Sequence, residues 1–221
     1  MRRAYFDRVL GRLLPARSLL PAEYAAAVGQ RNAALRRVAF GASSRDALAP
    51  WTARVAELAG ALVSARGDTV AALGPRFAER AGELGLGPAE LRYPGESPSV
   101  EALEARLEQD LERGTTGMGP HLDDFDLLAG GRELRRFGSQ GEQRVAVLAL
   151  ILAEGELLAE RGPGPPLLLL DDVLSELDDR RRRILAGRIG ATGQAFVTST
   201  SAEALPAEPA QLVEVSPGVA K

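Results

Sequence analysis

The chain has 221 residues with 27 basic and 30 acidic side chains, a formal net charge of −3, and no Cys. Its 45% hydrophobic and 26% charged residues match an ordinary globular composition, which excludes a wholly disordered, collagen-like or membrane-spanning chain; no run approaches the roughly 18 apolar residues of a spanning helix. The missing Cys exclude disulfides, thiolate-ligated zinc and thiol catalysis, and the net charge argues against a simple polycationic nucleic-acid binder, although local patches can still hold phosphate.

The basic residues carry a sharper exclusion. Lys221 is the only Lys, so 26 of the 27 are Arg. These 221 residues therefore contain no GxxxxGK[ST] phosphate loop, no internal Lys general base and no Schiff-base Lys. A cytoplasmic location is the expectation. Arg2-Arg3 superficially suggests a twin-arginine export signal. Asp7, Arg8 and Arg12 interrupt what would be its apolar core, and Tyr5, Phe6, Val9, Leu10, Leu13 and Leu14 recur at helical spacing instead.

Helical periods continue to about residue 117. Tyr24, Val28, Leu35 and Val38 mark a second helix behind Pro21. Ser43 and Asp46 form an [ST]-x-x-[DE] start signal for a long third helix, with Leu48, Trp51, Val55, Leu58, Leu62, Val70, Leu73 and Phe77 on its inner face and a kink expected near Gly67 or Pro75. Pro88, Pro94, Gly95 and Pro98 predict an irregular link. Val100, Leu103, Leu107 and Leu111 predict a last helix, closed by Gly114. The expectation is about four antiparallel helices.

The pattern changes at Gly117–Gly119. His121–Leu128 and Arg132–Phe137, joined by Gly130-Gly131, predict a hairpin. Gln140–Glu160 is apolar on most sides, as a buried helix is. Leu167–Leu170 reads as a strand covered on both faces, Asp178–Arg188 as a helix, and Gln194–Thr200 and Leu212–Val215 as strands. Strand, helix, strand implies a parallel α/β unit. The expected fold class is therefore an α-helical lobe followed by an α/β part.

Two segments carry chemistry. Leu167–Asp172 is an apolar strand ending in carboxylates, the Walker B pattern. At the C-terminal edge of a parallel sheet, where nucleotides bind, Asp171 can hold Mg²⁺ and Asp172 can orient or deprotonate an attacking water. In Phe137–Arg144, Gly138 and Gly141 permit close backbone approach, and Ser139 presents a hydroxyl where the buried helix begins. The free N–H groups and partial positive charge there suit a terminal phosphate. Taken singly, the first is also how many buried strands end, and the second is also an ordinary Ser N-cap. His121, the only His, reads as a structural hydrogen-bonding residue. Arg180–Arg183 reads as a solvated charged run, with DNA-backbone contact as the alternative.

The order Ser/Gly helix start, buried helix, acid-ended strand, then Ser175-Glu176-Leu177-Asp178 matches the signature motif, Walker B and D-loop of ABC-type ATPases. Gly131–Leu134 running into Phe137–Arg144, then Leu168–Asp178, resembles the RecF family of bacterial DNA replication and repair ATPases, of the SMC-like group. Gly119–Asp124 resembles the RecF segment ahead of its hairpin, and Gln194–Thr200 the strand at the switch position. The resemblance is specific over residues 117–200 and looser, with Gln30-Arg31-Asn32, over residues 1–40.

The resemblance implies a partial ABC-type ATPase head, P-loop NTPase-like, with a parallel-strand core and an antiparallel helical subdomain. Residues 1–116 would be the helical lobe, incomplete at its start, that helps clamp DNA. Residues 117–221 would be the C-terminal half of the ATPase lobe. ATP and Mg²⁺ would be the cofactors. Asp171 would bind the metal, and Asp172 would stand at the catalytic-acid position. Gly138, Ser139, Gln140 and Gly141 would meet the γ-phosphate of ATP held by the other subunit, Ser175 and Asp178 would line the dimer interface, and Thr198 or Thr200 would sense the γ-phosphate. The implied partners are duplex DNA and single-strand/duplex junctions, a second copy bound through ATP, and RecR and RecO; the implied roles are repair of gapped DNA and the SOS response, with no membrane. A RecF chain also carries an N-terminal strand, a Lys-containing phosphate loop and a Gln loop. This sequence is expected to begin inside the helical lobe, as a truncated or split gene would, and to be inactive alone. A non-catalytic DNA-binding or dimerisation module, or one half of a split SMC-like ATPase, are the alternatives.

Overall fold

A computed structural model describes residues 2–162, 164–174, 177–191, 193–200, 209–216 and 219–220. Helices dominate: α1 (Arg2–Leu13), α2 (Leu20–Ala39), α3 (Ala49–Glu83), α4 (Val100–Ala105), α5 (Leu107–Arg113), α6 (Leu134–Phe137), α7 (Gln140–Arg161) and α8 (Asp179–Ala191). The strands are short: β1 (Ala89–Arg92), β2 (Asp126–Ala129), β3 (Arg132–Glu133), β4 (Leu168–Leu170), β5 (Ala195–Val197), β6 (Val215–Ser216) and β7 (Val219–Ala220). The expected α/β fold class is thus met only as a mostly helical chain with small sheets. Among the described residues the one parallel pairing is β4 with β5, in register Leu168↔Ala195 to Leu170↔Val197. No described helix is long and apolar enough to cross a membrane.

The helical part largely follows its apolar spacing. α1 buries Phe6, Val9, Leu10 and Leu13. α3 runs unbroken for 35 residues with Pro75 inside it, roughly 50 Å of helix, and buries Val55, Leu58, Leu62, Leu73 and Phe77. Trp51 is only partly buried, beside a small cluster of Ala34, Leu35 and Leu48. The [ST]-x-x-[DE] signal at Ser43 does not start α3. A 3-10 turn, Arg45–Leu48, comes first and its N-cap, Ser44, makes no side-chain cap. The last helix of this part is two, α4 and α5, meeting at Arg106, and Gly114 ends α5 at φ 64°.

The Pro-rich link is a second correction. Residues 89–92 form β1, antiparallel to β2 from Ala89↔Ala129 to Arg92↔Asp126. Leu91 faces the core while Glu90 and Arg92 face solvent, the period-2 signal of a strand, short enough for the flanking prolines to obscure it. The hairpin's strands are shorter than expected: residues 121–125 lie ahead of β2, and Leu134–Phe137 is helix. Its turn is Gly130-Gly131, with φ of 54° and 75°, the two left-handed positions a type I′ turn requires. The sheet β1-β2-β3 therefore draws strands from both sides of residue 117. Leu212–Val215 also shifts, the strand there being Val215–Ser216.

Leu167–Leu170 is covered on one face, not both. Leu168 and Leu170 are buried, whereas Leu169 is 71% exposed and its partner across the sheet, Phe196, 57% exposed. A two-stranded sheet with one covering layer leaves alternate side chains open.

α7 is the central packing element. Val145, Ala146, Ala149, Leu152, Ala153 and Leu157 join Leu73, Phe77, Phe125 and Leu170 in one cluster. It starts with a capping box: Ser139 Oγ accepts from the Glu142 N–H at 3.2 Å, and Glu142 Oε2 accepts from the Ser139 N–H at 2.7 Å.

The helical part is tied by a buried ion pair. Arg31 and Asp110 are both fully buried, with Arg31 Nη1 2.8 Å from Asp110 Oδ2. Arg31 also donates to Thr52 Oγ1 at 3.2 Å and Thr116 Oγ1 at 2.9 Å. Asp110 Oδ1 accepts from the Gly117 N–H at 3.0 Å, and Asn32 Oδ1 from the Thr116 N–H at 2.7 Å. His121 makes the hydrogen bonds expected of it: its ring bridges Tyr24 Oη at 2.8 Å and the Thr116 carbonyl at 2.9 Å.

Arg31→Met leaves the buried Asp110 with only Arg106 Nε, at 3.4 Å, as an ionic partner and should cost about 3 kcal/mol, read as a lowered urea midpoint; Arg31→Met with Asp110→Leu should recover most of it. Glu142 is held below the ordinary carboxylate range, chiefly by the Ser139 backbone N–H and then its side chain. Because the folded state lowers this pKa, the cap's contribution is complete above about pH 4.3 and is lost as pH falls through the lower folded value. The Ser139 amide resonance should therefore titrate with a midpoint below that of Glu in an unfolded peptide; an equal or higher midpoint contradicts the capping box.

Candidate functional site

The acid-ended strand and the strand that leads into Thr198 meet. β4 and β5 run parallel, so Asp171 and Thr198 leave the same edge of the sheet. The Thr198 N–H donates to the Leu170 carbonyl at 2.9 Å, extending the ladder by one step. The Thr198 hydroxyl then donates to Asp171 Oδ1 at 2.5 Å and accepts from the Asp172 N–H at 3.0 Å. One hydroxyl thus fixes both the first carboxylate and the backbone that aims the second. Asp172 has a φ of 47°, in the left-handed region that short polar side chains tolerate better than most. Asp171, Asp172, Thr198 and Thr200 are all exposed at this edge.

No described cluster of three or more His, Cys, Asp or Glu could hold a metal by itself. Mg²⁺ needs no such cage; it binds through one or two carboxylates together with waters and substrate phosphates. An exposed carboxylate at a strand end, with one oxygen already oriented by Thr198, fits that requirement.

Ser139, Gln140 and Gly141 are exposed at the start of α7. The close approach is made by Gly138: a Cβ there would stand 2.6 Å from the Leu134 carbonyl oxygen, whereas one at Gly141 meets nothing within 4 Å. Gly138 therefore lets α6 turn tightly into α7, and its carbonyl accepts from Gln143 Nε2 at 3.0 Å. Ser139 does act as a helix cap. Its oxygen accepts from Glu142, yet a hydroxyl keeps its own O–H to donate, so capping and phosphate contact are compatible. The Glu142 carboxylate already offsets part of the helix's positive end.

Ser139 and Asp171 lie apart within the chain. After Gly162 the chain doubles back along α7: a Cβ at Gly155 would lie 3.7 Å from Leu168 Cδ2 and 3.9 Å from Pro166 Cγ. From that level Ser139 is 16 residues up the helix, roughly 24 Å. Asp171 is three residues along the strand, roughly 10 Å. The two point toward the same end of the molecule but are too far apart to touch one phosphate.

Asp178 sits just before α8. Its Oδ1 accepts from the Arg181 N–H at 2.8 Å, and the Leu177 N–H bonds the Leu174 carbonyl at 3.2 Å. Ser175 lies outside the described residues. The four-Arg run is not a uniform solvated face. Arg181 Nε donates to the Leu84 carbonyl at 2.8 Å, Arg182 Nε to the Leu174 carbonyl at 2.9 Å, and Arg183 Nε to the Asp179 carbonyl at 3.2 Å. Sequence reasoning missed Arg181 because no periodicity marks a side chain that reaches an element 97 positions away. It also missed the capping role of Glu142, although Ser139-x-x-Glu142 is the same kind of start signal as Ser43-x-x-Asp46.

No family model matches the chain. It is 44% identical over 219 residues to the DNA replication and repair protein RecF of Anaeromyxobacter dehalogenans, covering 90% of this chain and 57% of that one. It is 37% identical over 220 residues to RecF of Geobacter sulfurreducens, covering 93% and 59%. A solved structure of the recombination mediator protein RecF with ATPrS in the RecFOR pathway superposes with a TM-score of 0.83 at 26% identity, covering 99% of this chain and 62% of that chain. An SMC head bound to the C-terminal winged-helix domain of ScpA shares the fold, with a TM-score of 0.50 at 18% identity over 78% of this chain. This chain is a homologue of RecF that spans less than two thirds of the length of the relatives it matches, and its fold matches part of the RecF and SMC heads.

Proposed function

We propose that this chain supplies one face of the composite nucleotide site of a RecF-type DNA repair ATPase, and that it acts in the cytoplasm on gapped DNA. The observation that carries the reading is the Thr198 hydroxyl between Asp171 and Asp172 at the shared edge of β4 and β5. ATP would be held against two faces. Asp171 would hold Mg²⁺, which neutralises phosphate charge when bound. Asp172 would orient the attacking water, and Thr198, with Thr200 beside it, would report on the γ-phosphate. The Ser139–Gly141 turn, offset from Asp171 along α7, would serve the ATP of a second copy, with Gly138 setting the turn. Ser175 and Asp178 would line the surface between the copies.

The division at residue 116, with the helices ahead of it clamping duplex or junction DNA, belongs to the same proposal, as do RecO and RecR as partners and a part in the SOS response. Residues that cradle the α- and β-phosphates would come from polypeptide beyond these 221 residues, since Lys221 alone cannot make a phosphate loop.

The test is a calorimetric titration with ATP and Mg²⁺. The chain alone should show no micromolar binding and no hydrolysis; micromolar binding would sink the proposal. Joined to the remaining part of the A. dehalogenans RecF, it should bind ATP and self-associate in light scattering. Ser139→Arg should abolish the ATP-dependent association while leaving nucleotide binding intact. A joined protein that binds ATP yet stays monomeric would remove Ser139 from the interface.

A further inference from the structure

Arg181 joins the turn ahead of its own helix to the end of a helix far away in sequence. It stands in the first turn of α8, where its N–H is capped by Asp178 Oδ1 at 2.8 Å and its Nη1 lies 3.5 Å from Asp178 Oδ2. Its Nε donates to the Leu84 carbonyl at 2.8 Å. That carbonyl is among the acceptors a helix end leaves without an intrahelical partner, here at the C-terminus of α3. Arg181 is also one of the charges that lower the Glu142 carboxyl at the start of α7, after the Ser139 contacts and together with Arg132.

A second contact fixes the same pair of elements. Arg188, two turns further along α8, donates its Nε to Glu83 Oε2 at 3.0 Å, and Glu83 also accepts from the buried Arg80 at 2.6 Å. Arg181 and Arg188 fall on one face of the helix, so α8 grips the end of α3 at two points. The chain between is tight: Gly85, at φ 77°, passes with Arg181 Nη2 3.8 Å from where its Cβ would be.

We infer that Arg181 is a positioning residue that couples the Asp178 turn to the C-terminal end of α3, so that movement of the turn is passed to the long helix and to the helices packed along it. Guanidinium chemistry makes this workable. The planar fork bonds the Leu84 carbonyl through Nε while Nη1 faces the Asp178 carboxylate; an ammonium is a single point charge that cannot hold both in fixed geometry. The far half of α3 carries Val55, Leu58, Ala59 and Leu62, which pack on Leu10, Tyr24 and Val28, so a tilt imposed at Leu84 is felt by α1 and α2. The functional meaning of the link rests on the proposed place of Asp178 at the surface between copies; the link itself rests on the distances.

The experiment is amide hydrogen exchange on the full chain, with no nucleotide present. The reporters are the Leu84 and Leu86 amides, which bond the Arg80 and Ala81 carbonyls at the end of α3. Asp178→Ala should speed their exchange about fivefold, the loss of about one net hydrogen bond, although Asp178 lies on another element. Arg181→Lys should do the same while keeping the charge, and the double variant should be no faster than either single. Should Arg181→Lys not fold, Arg181→Gln replaces it in the cycle. Exchange that changes only within the first turn of α8, or single effects that add, would overturn the coupling. Because no ligand is involved, a failure here is separate from a failure of the ATP titration.

Discussion

The buried pair Arg31–Asp110 is the constraint on which the arrangement of the helical part depends. Two fully buried opposite charges are tolerable only when each remaining donor and acceptor is satisfied. The guanidinium bonds Thr52 on α3 and Thr116 beyond α5 as well as Asp110, and Asp110 takes the Gly117 N–H. Four segments are thereby fixed around one side chain: α2, α3, α5 and the start of the chain beyond α5. Asn32, one residue on, bonds the same stretch through Thr116. Apolar packing allows helices to slide by small steps, whereas this set of directed bonds admits one register.

A comparable device joins α1 to α3 and to the segment ahead of β2. Arg66 on α3 holds Asp7 by two contacts, at 2.9 and 3.0 Å, and donates to the Pro120 carbonyl at 2.7 Å. Its guanidinium lies over Tyr93 and Phe125. In a chain whose basic residues are almost all Arg, the planar fork is used repeatedly to reach carbonyls and carboxylates on different elements at once. Arg31, Arg66 and Arg181 each tie segments that sequence separates widely. Because Arg keeps its charge at any ordinary pH, these ties do not loosen through loss of the cation.

The sheet edge that carries Asp171 and Thr198 is built by different means. A parallel pair sets Asp171 and Thr198 side by side through the backbone ladder, and one hydroxyl then orients both acidic positions. α7 projects Ser139 well beyond that edge, and the capping box that starts the helix leaves the Ser139 O–H available. The open face of the sheet, at Leu169 and Phe196, is the counterpart of its having only two strands and one covering layer.

The long elements were legible in the sequence because burial imposes a period: α1, α2, α3 and α7 follow their apolar spacing closely, and Gly130-Gly131 marked the hairpin turn through the left-handed backbone it demands. The acid-ended strand, the Ser/Gly helix start and the strand carrying Thr198 were legible as a chain order, and with them the kinship to RecF. Tertiary structure alone decided pairing at a distance. β1 is too short and too close to prolines to announce itself until β2 lies against it. Leu169 reads as core, but which face of a strand is covered depends on how many layers are present. Arg31 and Arg181 look like any other Arg, since a polar side chain leaves no periodic trace of the partner it will meet. Local pattern determines which segments become helices or strands; long-range hydrogen bonds, which no local pattern encodes, determine which of them end up joined.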